Sequence, residues 1–166
     1  MHKALISSSY QFKKPKLYDT SSSSLFRPSV EPIIGSVLWC DLWGAEHSGI
    51  YIGDNKIVHL DGSGEVEIVS PKKFMDRLNG WNNAISIFVS CKNGKPVGSK
   101  KAATLAKKHV GKNRQYHLLV DNCHRFTAGC LLNDFTDGDK FLFFNQLATI
   151  CATEMDTTEW GVWDFS

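Results

Sequence analysis

The order of segment types along this 166-residue chain predicts an α+β fold, in which an antiparallel β-meander packs against helices. Short runs of β-branched and aromatic residues, separated by Gly, Asp and Asn, follow one another from Ile33 onward and are typical of strands. Segments with the spacing of amphipathic helices come later. The length and the hydrophobic content of 42% indicate one domain with a single core.

The predicted meander consists of four runs within residues 33–70, namely IIGSVLWCDLW, HSGIYIG, KIVHL and EVEIVS. A short helix is predicted over residues 70–78, because Ser70 is a good N-cap. A further strand is predicted over residues 83–91, and the KNGKP sequence is expected to form the turn after it.

Three helices are predicted in the second half of the chain. Ser99 is expected to cap the first, SKKAATLAKKHVG, whose lysines would face solvent. Its predicted apolar stripe comprises Ala102, Leu105, Ala106, His109 and Val110. The second helix is predicted over roughly residues 122–133 and the third over roughly residues 139–151.

Composition divides the chain into three parts. Residues 1–31 are polar and rich in Ser and Lys, which predicts a flexible arm. Residues 32–152 form the predicted domain, and residues 153–166 form an acidic-aromatic C-terminal tail. Two alternatives stay open for the tail aromatics Trp160, Trp163 and Phe165. They contact a membrane surface together with the lysine face of the 99–110 helix, or they cap the core.

Bulk properties argue against several classes of protein. A formal net charge of +2 is too small to indicate nucleic acid as a partner. No apolar run reaches the ~20 residues that span a bilayer. The N-terminus lacks the apolar stretch of a signal peptide, so a cytoplasmic or membrane-peripheral location is expected. Five cysteines without a C-x-x-C pair predict reduced thiols and no structural zinc.

Residues 46–60, EHSGIYIGDNKIVHL, place His47 and His59 on two successive predicted strands. Because side chains alternate along a strand, His47 shares a face with Gly49 and Tyr51. A second histidine on the neighbouring strand can orient the first as a general base. The alternative, two unrelated strand histidines, stays open at this point.

The turn between these strands decides which face His59 occupies. With a two-residue turn at residues 54–55, His59 would lie opposite Ile50 and point away from the other histidine. With a three-residue turn at residues 53–55, it would lie opposite Gly49, and both imidazoles would share a face. Gly49 would then leave open space at that point.

Residues 121–126, DNCHRF, place Cys123 at the predicted start of a helix, with Asp121 or Asn122 as a proper N-cap. Unpaired N–H groups and the helix dipole at this position favour a thiolate and can hold an oxyanion. The alternative is a small buried apolar side chain. That interpretation is applied to the other cysteines, Cys40, Cys91, Cys130 and Cys151.

Two blocks of this sequence resemble the lecithin retinol acyltransferase-like proteins, which belong to the NlpC-type superfamily of permuted papain-like thiol enzymes. The first block is GSVLWCDLWGAEHSGIYIGDNKIVHL, and the second is AATLAKKHVGKNRQYHLLVDNCHRF. The resemblance covers about residues 33–134. It implies a permuted papain-like fold, in which the strands that carry His precede the helix that carries Cys.

Carried over position by position, the resemblance implies Cys123 as nucleophile, His47 as general base and His59 as the orienting third member. The expected supporting groups are the Cys123 backbone, Tyr116, Asn122 and Tyr51. Two positions depart from the family pattern. His124 replaces an acidic residue after the nucleophile, and Ser48 replaces the aromatic that commonly follows the first histidine.

The function implied is that of a thiol acyl hydrolase or acyltransferase, which forms an acyl-thioester on Cys123. The expected substrates are lipid esters, in the manner of phospholipase A/acyltransferases, with the lipid at a membrane surface. Two alternatives stay open: a cysteine peptidase or amidase that cleaves peptide or isopeptide bonds, and an inactive binding module of the same fold. No cofactor and no metal ion are expected.

Overall fold

The computed structural model describes residues 29–42, 45–76, 86–112, 123–136 and 143–165. These ranges contain seven strands and four helices, which confirms the predicted α+β class. In chain order the elements are β1 (Val37–Leu42), β2 (Ala45–Gly53), β3 (Lys56–Leu60), β4 (Val66–Val69), α1 (Pro71–Met75), β5 (Ile87–Lys92), β6 (Lys95–Pro96), α2 (Lys100–His109), α3 (Cys123–Leu132), α4 (Phe144–Met155) and β7 (Glu159–Trp163).

The strands form one antiparallel sheet in the order β4-β3-β2-β1-β5-β6, with β7 paired to β5. The first four strands are successive neighbours, as the predicted meander requires. The chain then returns to the other side of β1 through β5. The histidine-bearing hairpin of β2 and β3 therefore lies inside the sheet, with a neighbour on each side.

The hairpin between β2 and β3 combines a short turn with a bulge. Asp54 and Asn55 both have a φ of +52°, as a two-residue turn of this kind requires. The register shifts between Tyr51 and Gly53, where β2 contains one extra residue. Each predicted turn is therefore right in one respect. The turn itself has two residues, as in the first alternative. The bulge shifts the pairing by one residue, so the register beyond it is that of the three-residue alternative. Ile50 pairs with Val58, so His59 follows opposite Gly49.

Alternation along the strands gives the sheet two apolar faces. The larger cluster lies between the sheet and α2, α3 and α4, and it includes Trp39, Ile50, Phe88, Phe126, Phe144 and Leu147. The smaller cluster covers the opposite face, and it includes Leu38, Cys40, Ile57, Phe74, Val89 and Trp163. α1 supplies Phe74 to this second face, which is the face of the two histidines.

The segment expected to form a tail contains β7, a strand that the sequence analysis does not predict. Trp160 and Trp163 are only 5% and 3% exposed, so the core alternative is confirmed and membrane contact by these rings is wrong. Most of the predicted arm, residues 1–28, lies outside the described residues. Val30, near its end, donates its N–H to the Val162 carbonyl at 2.8 Å.

The helix starts are predicted well and the helix faces less well. Ser70 and Ser99 both cap their helices, accepting hydrogen bonds from Lys73 N and Ala102 N. In α2, Ala103 is buried although the predicted stripe omits it, while Val110, which the stripe includes, lies beyond the helix and is 36% exposed. α4 extends to Met155, four residues past the predicted end.

Candidate active site

His47 and His59 form a buried hydrogen-bonded pair. His47 Nε2 lies 2.6 Å from His59 Nδ1, and the ring centroids are 4.8 Å apart in an edge-on arrangement. His47 is fully buried and His59 is 2% exposed. Of the two alternatives left open by the turn, the one in which both imidazoles share a face of the sheet is confirmed. These are not two unrelated strand histidines.

The pair continues into an acidic group on β4. His59 pairs with Glu67 across the β3–β4 ladder, and His59 Nε2 lies 3.1 Å from Glu67 Oε1. The second carboxylate oxygen of Glu67 accepts a 2.8 Å hydrogen bond from Lys73 Nζ on α1. A continuous chain of polar contacts therefore runs from the buried His47 to the exposed Lys73.

Negative charge surrounds the outer imidazole. Burial acts to raise the pKa of Glu67, but hydrogen bonds from Lys73 and His59 outweigh it and hold this pKa below its ordinary value of 4.5. Burial acts in the same direction on Asp61, yet hydrogen bonds from Ser63 and the Glu65 N–H lower its pKa overall. Two ionised carboxylates, Asp61 and Glu67, therefore lie near His59.

Phe74 packs on both imidazoles, with its centroid 4.7 Å from the His47 ring and 5.8 Å from the His59 ring. The prediction of open space at Gly49 is wrong. A Cβ at Gly49 would lie 2.9 Å from Ile57 Cγ2 and from the Val58 carbonyl oxygen, and 3.0 Å from Phe74 Cε2. Gly49 is needed because neighbouring groups already fill the space beside the histidines.

Cys123 is the first residue of α3, as predicted, and it is 5% exposed. Its sulfur lies 3.8 Å from the Glu46 carbonyl oxygen, near the start of β2. The next residue along that strand is His47, so α3 brings the thiol to the histidine-bearing end of β2. The sulfur also lies 3.9 Å from His124 Nδ1.

A second polar chain lies between α3 and β2. The Thr127 hydroxyl donates to the Cys123 carbonyl at 2.9 Å, so its proton is engaged. Ser48 Oγ lies 3.1 Å from Thr127 Oγ1 and 2.8 Å from His124 Nδ1. All three contacts are hydrogen bonds if Ser48 donates to Thr127 and accepts from the Nδ1–H of His124. That N–H then lies beside the thiol.

The remaining predicted site residues fall in different places. Tyr51 shares the histidine face, but its ring packs on Trp163 of β7, and its hydroxyl accepts from the Asn55 N–H at the hairpin turn. Its part in the site stays a prediction. Tyr116 and Asn122 lie outside the described residues. The four cysteines interpreted as small apolar side chains, Cys40, Cys91, Cys130 and Cys151, are buried.

Sequence reasoning missed Glu67, Lys73 and the contact between Ser48 and His124. A signal for Glu67 was present, because a three-residue hairpin turn at residues 62–64 places residue 67 opposite residue 59 when the strands are paired outward from it. Nothing local to the sequence brings Ser48 to His124, since they lie 76 positions apart. Among the described residues, no group of three or more His, Cys, Asp or Glu side chains could hold a metal ion.

The model of one protein family, lecithin retinol acyltransferase, matches residues 31–136, which is more than half of the chain. No curated protein matches the sequence. Members of this family have an NlpC/P60-like papain fold, and they are acyltransferases and hydrolases with a cysteine nucleophile. The fold and the matched residues lead to one conclusion: the chain belongs to the lecithin retinol acyltransferase family.

Proposed function

We propose that this protein is a cysteine-dependent acyl hydrolase or acyltransferase that forms an acyl-thioester on Cys123. The observation that carries the proposal is the buried 2.6 Å pair of His47 and His59. It lies on β2 and β3, and the Cys123 sulfur contacts the residue before His47. Membership of a family with a cysteine nucleophile supports the same assignment.

In the proposed mechanism, His47 accepts the Cys123 proton and His59 orients His47. The thiolate attacks a carbonyl carbon, and the resulting oxyanion is held by the backbone N–H of Cys123 at the start of α3. Collapse of the tetrahedral intermediate expels the alcohol or amine, which takes its proton from the His47 imidazolium. Water or an acceptor hydroxyl or amine, deprotonated by His47, then attacks the thioester and frees the thiol.

We assign lipid esters as the substrate class. The name of the family contains lecithin, a phospholipid with acyl esters, and the lysines of α2 provide an exposed cationic surface for anionic headgroups. A cytoplasmic or membrane-peripheral location fits such a substrate. Within the described ranges, every helix falls short of the length and apolar character that a bilayer crossing requires.

The test is intact-mass analysis after incubation with phospholipid vesicles, followed by peptide mapping of the modified residue. The Cys123→Ala variant is expected to gain no acyl group. The Cys130→Ala variant is the matched control, because Cys130 lies on the same helix and is fully buried, and it is expected to be acylated like the unmutated chain. Equal acylation of both variants would refute the assignment.

Two other outcomes decide between the alternatives. Acylation of Cys123 by peptide or isopeptide substrates, and not by phospholipid, would identify a cysteine peptidase or amidase. Failure of Cys123 to form a covalent adduct with any acyl donor, in a chain that still binds lipid or peptide, would identify an inactive binding module.

A further inference from the structure

We infer that Glu67 on β4 is a positioning residue of this site, which sets the protonated nitrogen on both imidazoles. The inference rests on the proposed function of Cys123 and His47 and adds a fourth member to their chain. The Glu67 carboxylate contacts His59 and Lys73. It acts through His59, which it contacts at 3.1 Å.

The Glu67 carboxylate, when ionised, can only accept hydrogen bonds. Hydrogen bonds from Lys73 and His59 hold the pKa of Glu67 below its ordinary value, so the group is ionised at neutral pH. His59 Nε2 must then carry a proton and donate it to Oε1 of Glu67. In the neutral ring this leaves Nδ1 of His59 as an acceptor.

The position of the proton on His59 also determines the position of the proton on His47. His47 Nε2 and His59 Nδ1 lie 2.6 Å apart, a separation that requires one proton between the two nitrogens. Because His59 Nδ1 is the acceptor, the proton resides on His47 Nε2. The lone pair of neutral His47 is therefore on Nδ1, and this is the atom that can accept the thiol proton.

Burial makes this coupling effective. Both rings are at most 2% exposed, so bulk water cannot supply an alternative acceptor without opening the site. Lys73 adds a further constraint, because its ammonium occupies the other oxygen of Glu67 at 2.8 Å and cannot accept a hydrogen bond. One oxygen of the carboxylate thus accepts a hydrogen bond from the Lys73 ammonium, and the other accepts one from the His59 N–H.

This division of oxygens makes Glu67→Gln the most informative substitution. The Lys73 ammonium selects the amide oxygen of glutamine, which turns the amide NH2 group toward His59. A donor at that position forces the proton of His59 onto Nδ1, which then donates to His47 Nε2. The proton of His47 is displaced to Nδ1, and the ring can no longer accept the thiol proton.

The first readout is the 15N spectrum of histidine-labelled protein at a pH where both rings are neutral. It is recorded with Cys123→Ala, so that no thiolate holds His47 as a cation. With Glu67 present, both rings are expected to be protonated at Nε2. With Glu67→Gln, both are expected to be protonated at Nδ1. With Glu67→Ala, a mixture of the two forms is expected.

The second readout is the rate of Cys123 acylation in chains that retain the thiol. Glu67→Ala is expected to lower it about 10- to 100-fold, as loss of a supporting hydrogen-bond partner does at other sites. Glu67→Gln is expected to lower it at least as much, toward the roughly 10⁴-fold cost of a wrong imidazole tautomer. Adding Lys73→Met to Glu67→Gln frees the amide to rotate and is expected to restore part of the rate.

Glu65→Gln is the matched control, because it removes the same charge from an exposed side chain two residues away, and it is expected to leave both readouts unchanged. An unchanged His47 tautomer in Glu67→Gln would overturn the inference, whatever the activity. Absence of Cys123 acylation in the unmutated chain would overturn the proposed function instead, while a tautomer switch in that same protein would still support the role of Glu67.

Discussion

Replacement of Phe74 by alanine is the perturbation that best tests how the histidine pair is held. Phe74 is fully buried, and its ring packs against both imidazoles and against Gly49. Removing it leaves a cavity on the face of the sheet where the two rings lie.

The expected cost combines two effects. Returning a buried phenylalanine side chain to water costs about 1.5–3 kcal/mol, and the cavity that remains brings the total to about 3–5 kcal/mol. For a chain of this size each kcal/mol lowers Tm by roughly 2–4 °C, so a decrease of about 6–20 °C is expected. This is a large part of the ~5–15 kcal/mol that stabilises a typical domain.

The assay is urea unfolding at neutral pH, followed by fluorescence of the buried tryptophans. Phe143→Ala is the matched control, because Phe143 is 60% exposed and its loss is expected to change the free energy of unfolding by less than about 0.5 kcal/mol. The reasoning is refuted if Phe74→Ala costs less than about 1 kcal/mol, or no more than Phe143→Ala.

Three further predictions concern single residues. Because the pKa of Glu67 lies below 4.5 in the folded chain, its stabilisation is present above that pH and lost as the pH falls through the lowered pKa. Urea midpoints measured against pH should show this loss in the unmutated chain and not in Glu67→Gln; equal acid profiles would contradict it. Gly49→Ala should cost about 1–3 kcal/mol through overpacking, measured by urea unfolding, and an unchanged midpoint would refute the close contacts. Burial raises the pKa of the Cys151 thiol, so mass spectrometry should find it alkylated by iodoacetamide only after unfolding, and rapid native alkylation would contradict its burial.

The strands and helix starts could be predicted because they depend on local signals. Serine caps at Ser70 and Ser99 mark helices that begin at the next residue. The common face of the histidines could be predicted only as one of two alternatives. The extra residue in β2 lies beside Gly53, whose φ is +97°, and this bulge decides where His59 points.

The strand β7 and the outer part of the site depend on contacts between distant segments. Trp160 and Trp163 suit a strand and an exposed aromatic tail equally well until β5 pairs with them. Glu67 lies on the same face of the sheet as His59 because they are cross-strand partners, and Lys73 joins it from the first turn of α1. Composition near the histidines does not reveal either contact.

The two departures from the family pattern meet in the structure. Ser48 and His124 are the two positions at which the sequence analysis expects a departure from that pattern, and they contact each other at 2.8 Å. A small hydroxyl side chain at position 48 leaves room for the imidazole of His124, which is 3% exposed. The His124 imidazole also lies 3.9 Å from the Cys123 sulfur, so the contact with Ser48 lies beside the proposed nucleophile.

The pH dependence of Cys123 alkylation, compared between the unmutated chain and His47→Asn, tests the central claim most directly. An ordinary cysteine is almost entirely in the thiol form below about pH 7 and alkylates slowly there. We expect the unmutated chain to retain rapid alkylation of Cys123 in that range, and His47→Asn to lose it. Identical profiles for the two proteins would contradict the claim that His47 takes the Cys123 proton.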